Sequence, residues 1–221
     1  MHRKMQIVIL GAGGFGREVL WLLRSLDKEN LEVLGFIDED SELHGKTLSD
    51  LPVLGGFEYL LEMQGAKNDL GAVCAVGEPA LKKVLVSKAR AVGIRNFPEA
   101  IHPSCQISEF VEIGEGTVIA ANSIITTQVT INAFVTINLS CTVGHDVLIG
   151  DYVTLAPGVH VSGHVILGEG VKIGTGTVIL PGVRVGAWTI VGAGGVVTRD
   201  LPDNVTAVGV PAKVIRHHEK V

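Results

Sequence analysis

The sequence predicts a small α/β domain over residues 1–96, followed by a parallel β-helix over residues 97–221. Two observations carry this. Up to about Asn96, short apolar strands alternate with segments of helical spacing, the pattern of a small parallel sheet flanked by helices. From Ile101 to Val197 an aliphatic residue recurs at every sixth position without a break, and helical spacing disappears. Composition agrees: 28 glycines and 5% aromatic residues in a chain that is 47% apolar suit short strands and tight corners, filled by Val, Ile and small side chains.

In the first domain, Gln6 to Leu10 is a short apolar run and reads as a buried strand. Gly11-Ala12-Gly13-Gly14-Phe15-Gly16 follows, and Arg17 to Arg24 then sets its apolar residues on one helical stripe. Leu31 to Ile37 is a second strand, ending at Asp38-Glu39-Asp40, and Leu70 to Val76 is a third, ending at Gly77-Glu78-Pro79. Pro79 suits the first turn of a helix, and Leu81, Val84, Leu85 and Ala89 keep helical spacing up to Gly93. The glycine segment has the form G-x-G-x-x-G between a strand and a helix, with Asp38 at the end of the next strand. That is the context of a phosphate-cradling turn. Glycines let the backbone approach a ligand, the helix N-terminus favours anionic oxygens, and Asp38 is suited to accept from a ribose or sugar hydroxyl. A dinucleotide site needs two mononucleotide-binding halves, and a domain of this length supplies roughly one, a Rossmann-like half. A nucleotide or nucleotide sugar is therefore expected over a dinucleotide; a purely structural glycine turn is the other reading. Gly13, Gly14, Phe15, Asp38, Glu39 and Gly77 are the candidate substrate-binding residues here.

In the second domain the anchors run Ile101, Ile107, Ile113, Ile119 and so on to Val185, Val191 and Val197. The position four after each anchor is also restricted, to residues such as Cys105, Thr117, Ser123, Cys141, Val153 and Thr177. A solvated sheet would alternate every two residues and be broken by hairpin turns. One large and one small inward residue per six describes one side of a triangular coil. Three sides make a coil, coils stack at about 4.8 Å, and the run supplies between five and six coils. Cys105 and Cys141 share the small slot two coils apart, about 10 Å in space, too far for a disulfide. With Cys74 they are expected to be small buried hydrophobes, and no Cys-x-x-Cys pair is present. Because the anchors fill the prism, any site lies on an outer face or between subunits. Phe134, Leu148 and Trp188 fall at outer positions, an apolar patch that a subunit interface would cover.

Charge and hydropathy exclude other classes. The net charge of -5 and the lack of a Lys/Arg-rich run give no footprint for nucleic acid. No stretch reaches the roughly 18 apolar residues that span a membrane. The apolar run within Met1 to Leu10 is too short for a signal sequence, so a soluble, cytoplasmic protein is expected.

The six-residue pattern is the hexapeptide repeat, and the chain resembles the bacterial acyltransferases that carry it. The resemblance implies a left-handed β-helix, a homotrimer, and acetyl-CoA lying in the groove between neighbouring prisms. A nucleotide-binding α/β domain ahead of such a prism is similar to one subgroup, the nucleotide-aminosugar N-acetyltransferases of bacterial glycan pathways. These include the UDP-N-acetylbacillosamine and perosamine types, with proteins labelled sialic acid O-acetyltransferases as relatives. The matching segments are Gly11 to Gly16, Phe36-Ile37-Asp38, Ala75-Val76-Gly77, Ile101-His102-Pro103-Ser104, Ile137-Asn138, Gly144-His145-Asp146, Ile149-Gly150-Asp151 and Gly209-Val210-Pro211-Ala212-Lys213. The resemblance implies acetyl transfer from acetyl-CoA to the amine of a UDP- or GDP-linked 4-amino-deoxysugar, without a metal. The alternatives are O-acetylation of a sugar of the sialic acid type, and a non-catalytic trimeric scaffold that senses a nucleotide. Gly144-His145-Asp146 argues against the scaffold, which needs no outward base.

Transfer to an amine requires one positioned base to take the proton. His145 stands two residues past the anchor Val143 and so faces outward, and Asp146 follows it. A carboxylate there would fix the imidazole tautomer and favour the imidazolium. The resemblance implies the same pair. Adjacent residues on a straight strand point to opposite faces, so the pair meets only if the chain turns a corner here; the other reading is a surface or interface histidine. His160 and His164 lie about one coil on from His145, with no carboxylate or cysteine at a ligand-like spacing, and no metal site is expected. His102 reads as structural, and His217 and His218 as solvated. The resemblance maps an acceptor-sugar contact onto Asn138, which reads equally as a coil-corner asparagine. It maps acetyl-CoA contacts onto Thr154, Thr175 and Ala193, and a CoA phosphate contact onto Lys213, otherwise an exposed lysine near the chain end. Relatives often carry histidine at the position of Thr154, and some carry it at Phe15.

Overall fold

The computed structural model describes residues 4–26, 31–66 and 70–219; the Met1–Arg3 part of the N-terminal segment lies outside them. The chain forms two compact units, Met1–Gly77 with Leu81–Ala100, and Glu78–Ala80 with Ile101–Val221.

The first unit is built on five strands, β1 (Met5–Leu10), β2 (Leu31–Ile37), β3 (Thr47–Leu48), β4 (Leu51–Gly55) and β5 (Leu70–Cys74). Its helices are α1 (Gly14–Ser25), α2 (Phe57–Ala66) and α3 (Pro79–Ala91). The sheet order is β3-β4-β2-β1-β5, parallel except for the β3–β4 hairpin. β1 lies between β2 and β5, and Ile7, Val8, Ile9 and Leu10 are all buried, as a parallel strand covered on both faces requires. α1 is amphipathic and buries Val19, Leu20, Leu22 and Leu23. The chain goes from β1 to β2 on one side and later to β5 on the other. The carboxyl end of β1 is therefore a topological switch point, where open α/β sheets bind ligands.

Sequence reading finds β1, β2, β5, α1 and α3 but not β3, β4 or α2. The β3–β4 turn holds Ser49 and Asp50 at φ 50° and 63°, a left-handed pair without the glycine that would announce it. Two boundaries also shift: the third expected strand stops at Cys74, and α3 stops at Ala91, two residues before Gly93.

The second unit is a left-handed parallel β-helix. Its strands fall into three sheets, one per face of the prism. Thr136 pairs with Thr154 and Thr154 with Lys172, so a coil takes 18 residues. The first face carries strands such as Thr136–Ile137 and Thr154–Leu155. The second carries Ile124–Ile125 and Thr142–Val143, and the third Val129–Ile131 and Leu148–Ile149. Anchors from Ile119 to Val197 are buried in one continuous core. Ile101, Ile107 and Ile113 are only partly covered, because the first coil has a neighbour on one side alone. Each fully buried aliphatic anchor contributes about 1.5–3 kcal/mol of transfer free energy.

The small slot has a chemical logic of its own. Thr117, Ser123 and Thr177 are fully buried. Their hydroxyls donate to the carbonyls of Asn132 (3.2 Å), Asn138 (3.0 Å) and Gly192 (3.1 Å), each 15 residues on. Cys105 and Cys141 point their thiols at Ala120 and Ala156 carbonyls in the same way. All three cysteines are free thiols; Cys74 and Cys141 are buried as expected, but Cys105 is only half-buried. Burial raises the Cys74 and Cys141 thiols to about 11.

The corners are left-handed residues repeated once per coil. One corner runs through Asn122, Ser140, Gly158, Gly176 and Gly194, another through Gln128, Asp146, His164 and Gly182. The last runs through Gly116, Phe134, Tyr152, Gly170 and Trp188, and corrects an expectation. Phe134 is not wet but 1% exposed, stacked on Tyr152 with centroids 5.5 Å apart, and its ring lies where a Gly116 side chain would stand. Trp188 is likewise half-buried over Gly170. The aromatic rings cover the bare backbone of the preceding coil. Of the three outer apolar residues, Leu148 alone is exposed as expected, at 42%.

Candidate active site

In the first unit the candidate residues gather at the carboxyl ends of β1, β2 and β5. Gly11, at φ +106°, turns the chain out of β1, and its N–H donates to the Ile37 carbonyl at 2.8 Å. A side chain at Gly16 would collide with the Gly11 carbonyl. The fold therefore requires Gly11 and Gly16. It makes no such demand at Gly13, Gly14 or Gly77: a Cβ at Gly13 or Gly77 meets nothing within 4 Å, and one at Gly14 meets only the Arg17 side chain at 4.0 Å. Gly13 caps α1 without a side-chain bond, and the first turn carries no acidic residue. With no side-chain cap, this helix N-terminus leaves first-turn N–H groups available to an anion. Phe15 is half-buried in the first turn.

Asp38 has a structural duty. Its Oδ2 accepts from Ala12 N–H at 2.7 Å and its Oδ1 from Asp40 N–H at 3.0 Å, tying the glycine turn to the end of β2. A carboxylate has about four acceptor sites, so it retains capacity for a ligand hydroxyl. A cavity of about 150 Å³ opens beside it, lined by apolar side chains including Leu10, Ile37, Phe57 and Leu81, with Asp38 and Glu39 as its acids. Glu39 is exposed and pairs with Lys88 of α3 at 3.2 Å; the Lys88 ammonium also lies 5.6 Å from the Phe57 ring.

In the second unit Asp146 takes the left-handed corner position, at φ +58°. That corner bends the chain between two neighbours whose side chains would otherwise diverge. His145 Nδ1 and Asp146 Oδ2 are 2.7 Å apart, so the carboxylate accepts the Nδ1 proton and leaves Nε2 as the acceptor. Both side chains are about half exposed, 55% and 46%. The imidazole lies over Gly163, where a Cβ would stand 2.7 Å from Cε1 and Nε2. His164 stands beside the pair, its Nε2 3.8 Å from Asp146 Oδ2 and its ring edge-on to His145 at 4.9 Å. Asp146 thus neighbours His164 across one coil, although the sequence places no carboxylate at a ligand-like spacing from it. Gly163 and His164 were legible in principle, since each follows its neighbour, His145 or Asp146, by one 18-residue coil.

The remaining residues lie elsewhere on the prism. Asn138 is not the corner residue; Ser140 is. Asn138 is half-buried, and its Oδ1 accepts from the Leu139 N–H at 2.7 Å. Thr175 and Ala193 are exposed at equivalent positions of successive coils, just before the corners Gly176 and Gly194. Thr154 is buried on the first face, and Lys213 is exposed on the C-terminal strand Lys213–His217. His160 bonds Thr142 Oγ1 through Nδ1 at 2.8 Å, and His102 bonds Ser104 Oγ at 2.8 Å. His218 is not simply solvated, since its Nε2 lies 2.7 Å from Thr206 Oγ1.

Known proteins share both halves of this arrangement. Residues 6–89 match the family model of the PglD N-terminal domain, and residues 164–199 that of the bacterial transferase hexapeptide with six repeats. The chain is 31% identical over 164 residues to GDP-perosamine N-acetyltransferase of Escherichia coli O157:H7, covering 72% of this chain and 70% of that protein. PerB from Caulobacter crescentus, solved in complex with CoA and GDP-perosamine, is similar with a TM-score of 0.85 and 37% identity, over 95% of this chain and 96% of that one. The acetyltransferase domain of PglB from Neisseria gonorrhoeae, in complex with acetyl coenzyme A, matches with a TM-score of 0.85 and 30% identity, over 96% and 100%. The chain belongs with these proteins in the family of hexapeptide-repeat, acetyl-CoA-dependent nucleotide-aminosugar N-acetyltransferases.

Proposed function

We propose that this enzyme transfers the acetyl group of acetyl-CoA to the amine of a UDP- or GDP-linked 4-amino-deoxysugar, with His145 as general base. The observation that carries the mechanism is the 2.7 Å bond between His145 Nδ1 and Asp146 on an exposed corner. The acceptor amine attacks the thioester carbonyl and passes its proton to Nε2. Asp146 holds the tautomer and stabilises the imidazolium that forms. Collapse of the tetrahedral intermediate expels CoA thiolate, which takes up a proton.

The nucleotide diphosphate is assigned to the N-terminus of α1, at Gly13 and Gly14, with Asp38 on a ribose hydroxyl and Phe15, Glu39 and Gly77 bordering it. The open space at Gly13, Gly14 and Gly77 supports this, since the fold asks for no glycine there. Asn138 is assigned to the acceptor sugar, and Thr154, Thr175, Ala193 and Lys213 to acetyl-CoA. Thr175 and Ala193 precede one corner and His145 precedes the next, so a whole side of the prism, up to about 20 Å, separates them. We therefore place the active site between adjacent subunits of a homotrimer, where one protomer's donor edge meets its neighbour's base. Exposed Ile124 and Leu148, on the two faces that meet at the His145 corner, support burial in such an interface. We assign the enzyme to the cytoplasm.

Purified protein with acetyl-CoA and a panel of UDP-, GDP- and dTDP-linked amino sugars, with GDP-perosamine first, tests the acceptor by thiol release. No release with any amino sugar would sink the assignment. His145→Ala is expected to lower kcat by about 10²–10⁴, and wild-type turnover in that variant removes His145 as the base.

A further inference from the structure

We propose that His145, Asp146 and His164 also form a zinc-binding site, and that Zn²⁺ held there switches the acetyl transfer off. The binding stands on geometry alone, while the inhibition rests on the reading of His145 as the base.

Asp146 and His164 occupy the same corner of consecutive coils, at φ +58° and +59°. The bond from His164 N–H to the His145 carbonyl, 2.9 Å, fixes that stacking. One ligand atom from each of the three side chains lies within 4.8 Å of the others, and among the described residues this is the only such group. Asp146 Oδ2 stands between the rings, 2.7 Å from His145 Nδ1 and 3.8 Å from His164 Nε2. Two imidazoles and a carboxylate, with a fourth position open to water, are a donor set suited to Zn²⁺. Tetrahedral bonds of about 2.0–2.1 Å set donor atoms about 3.3 Å apart, so shifts of about 0.5–1.5 Å convert the present arrangement. Within a single protomer the three side chains are 46–65% exposed.

The inhibition follows from the tautomer. In the active form Nδ1 carries the proton shared with Asp146, and Nε2 offers its lone pair to the amine. Zn²⁺ takes the Nδ1 lone pair and the Asp146 oxygen, and that proton leaves to water. The neutral ring then carries its one proton on Nε2, taken up from water, so no protons are gained or lost overall. Nε2 can no longer accept from the acceptor amine.

Calorimetric titration of the metal-free, full-length protein with Zn²⁺ tests the site, and visible absorption of bound Co²⁺ reports its geometry. The expected result is one strong site per chain, tetrahedral Co²⁺ bands, and loss of thiol release at the zinc concentration that fills the site, reversed by a chelator. His164→Asn keeps a residue tolerant of the left-handed corner. It should weaken zinc binding by at least about 100-fold, and its own metal-free rate should no longer fall at the zinc concentration that silences the parent. His160→Asn should bind zinc as the parent does. No binding by the parent protein, or undiminished binding by His164→Asn, overturns the site. If zinc binds as expected but His145→Ala retains the parent rate, the site stands and the inhibition, with the base assignment, falls.

Discussion

Replacing Gly163 by alanine separates the placement of the His145 ring from everything else at this corner. The Cβ of alanine would stand 2.7 Å from Cε1 and Nε2 of the imidazole, and ordinary contact begins near 3.4 Å. The ring must therefore retreat by about 0.7 Å or swing on its side-chain torsions, because the other party is backbone. Gly163 does not have a left-handed φ, so alanine brings no backbone strain. The atoms that the new Cβ meets are the far end of a side chain and not backbone, so stability should change by less than about 1 kcal/mol. Nε2 is the atom that takes the proton, and misplacement on this scale is expected to lower kcat by about 10²-fold, or about 2.7 kcal/mol. Neither substrate is assigned a contact with Gly163, so both KM values should stay near the parent's. Steady-state thiol release with each substrate varied in turn measures all three quantities, and thermal unfolding checks the fold. Parent-like kcat in Gly163→Ala would refute the claim that the seat over this glycine sets the rate. A rise in KM with unchanged kcat would move the corner from catalysis to binding.

Three further outcomes are expected. Asp38→Ala frees the Ala12 and Asp40 N–H groups and removes the assigned ribose acceptor, so KM for the nucleotide sugar should rise about 10-fold. KM for acetyl-CoA should not move, and equal increases in both would count against a nucleotide site at α1. Ser123→Ala strands the half-buried Asn138 carbonyl and the buried Cys141 N–H that its hydroxyl serves, and should cost about 1–3 kcal/mol in denaturant unfolding. Cys74 and Cys141 should resist alkylation in the folded protein at pH 8 and react once it is unfolded, read by mass spectrometry. Their thiols are raised from 9.0 to about 11 by burial, so the folded state keeps these protons to higher pH than the unfolded chain. Their contribution to stability is therefore complete below pH 9 and declines as pH rises towards 11. Stability constant across that window would contradict it.

The prism was readable residue by residue because every anchor meets the same environment. One Ile or Val per side fills an identical cross-section, so the requirement repeats in the sequence as it does in space. The glycine turn was readable for a local reason, a strand, a tight turn and a helix within one short segment. The β3–β4 hairpin was hidden because Ser49 and Asp50 adopt left-handed backbone without the residues that usually mark it. At Phe134 an outward direction does not imply exposure; its ring folds back over Gly116 of the coil before it.

The same contrast holds at the candidate site. The six-residue period alone puts a histidine outside a filled prism with an acid beside it, since it assigns each position to the inside or the outside. Whether the two side chains meet depended on the left-handed φ of Asp146, which stands three residues past the anchor Val143, as each corner of the prism stands three past its own anchor. That the imidazole rests on Gly163 and shares its carboxylate with His164 depended on how one coil is registered on the next. Tertiary structure decided these because they are contacts between residues a full coil apart, brought within reach by hydrogen bonds between stacked corners.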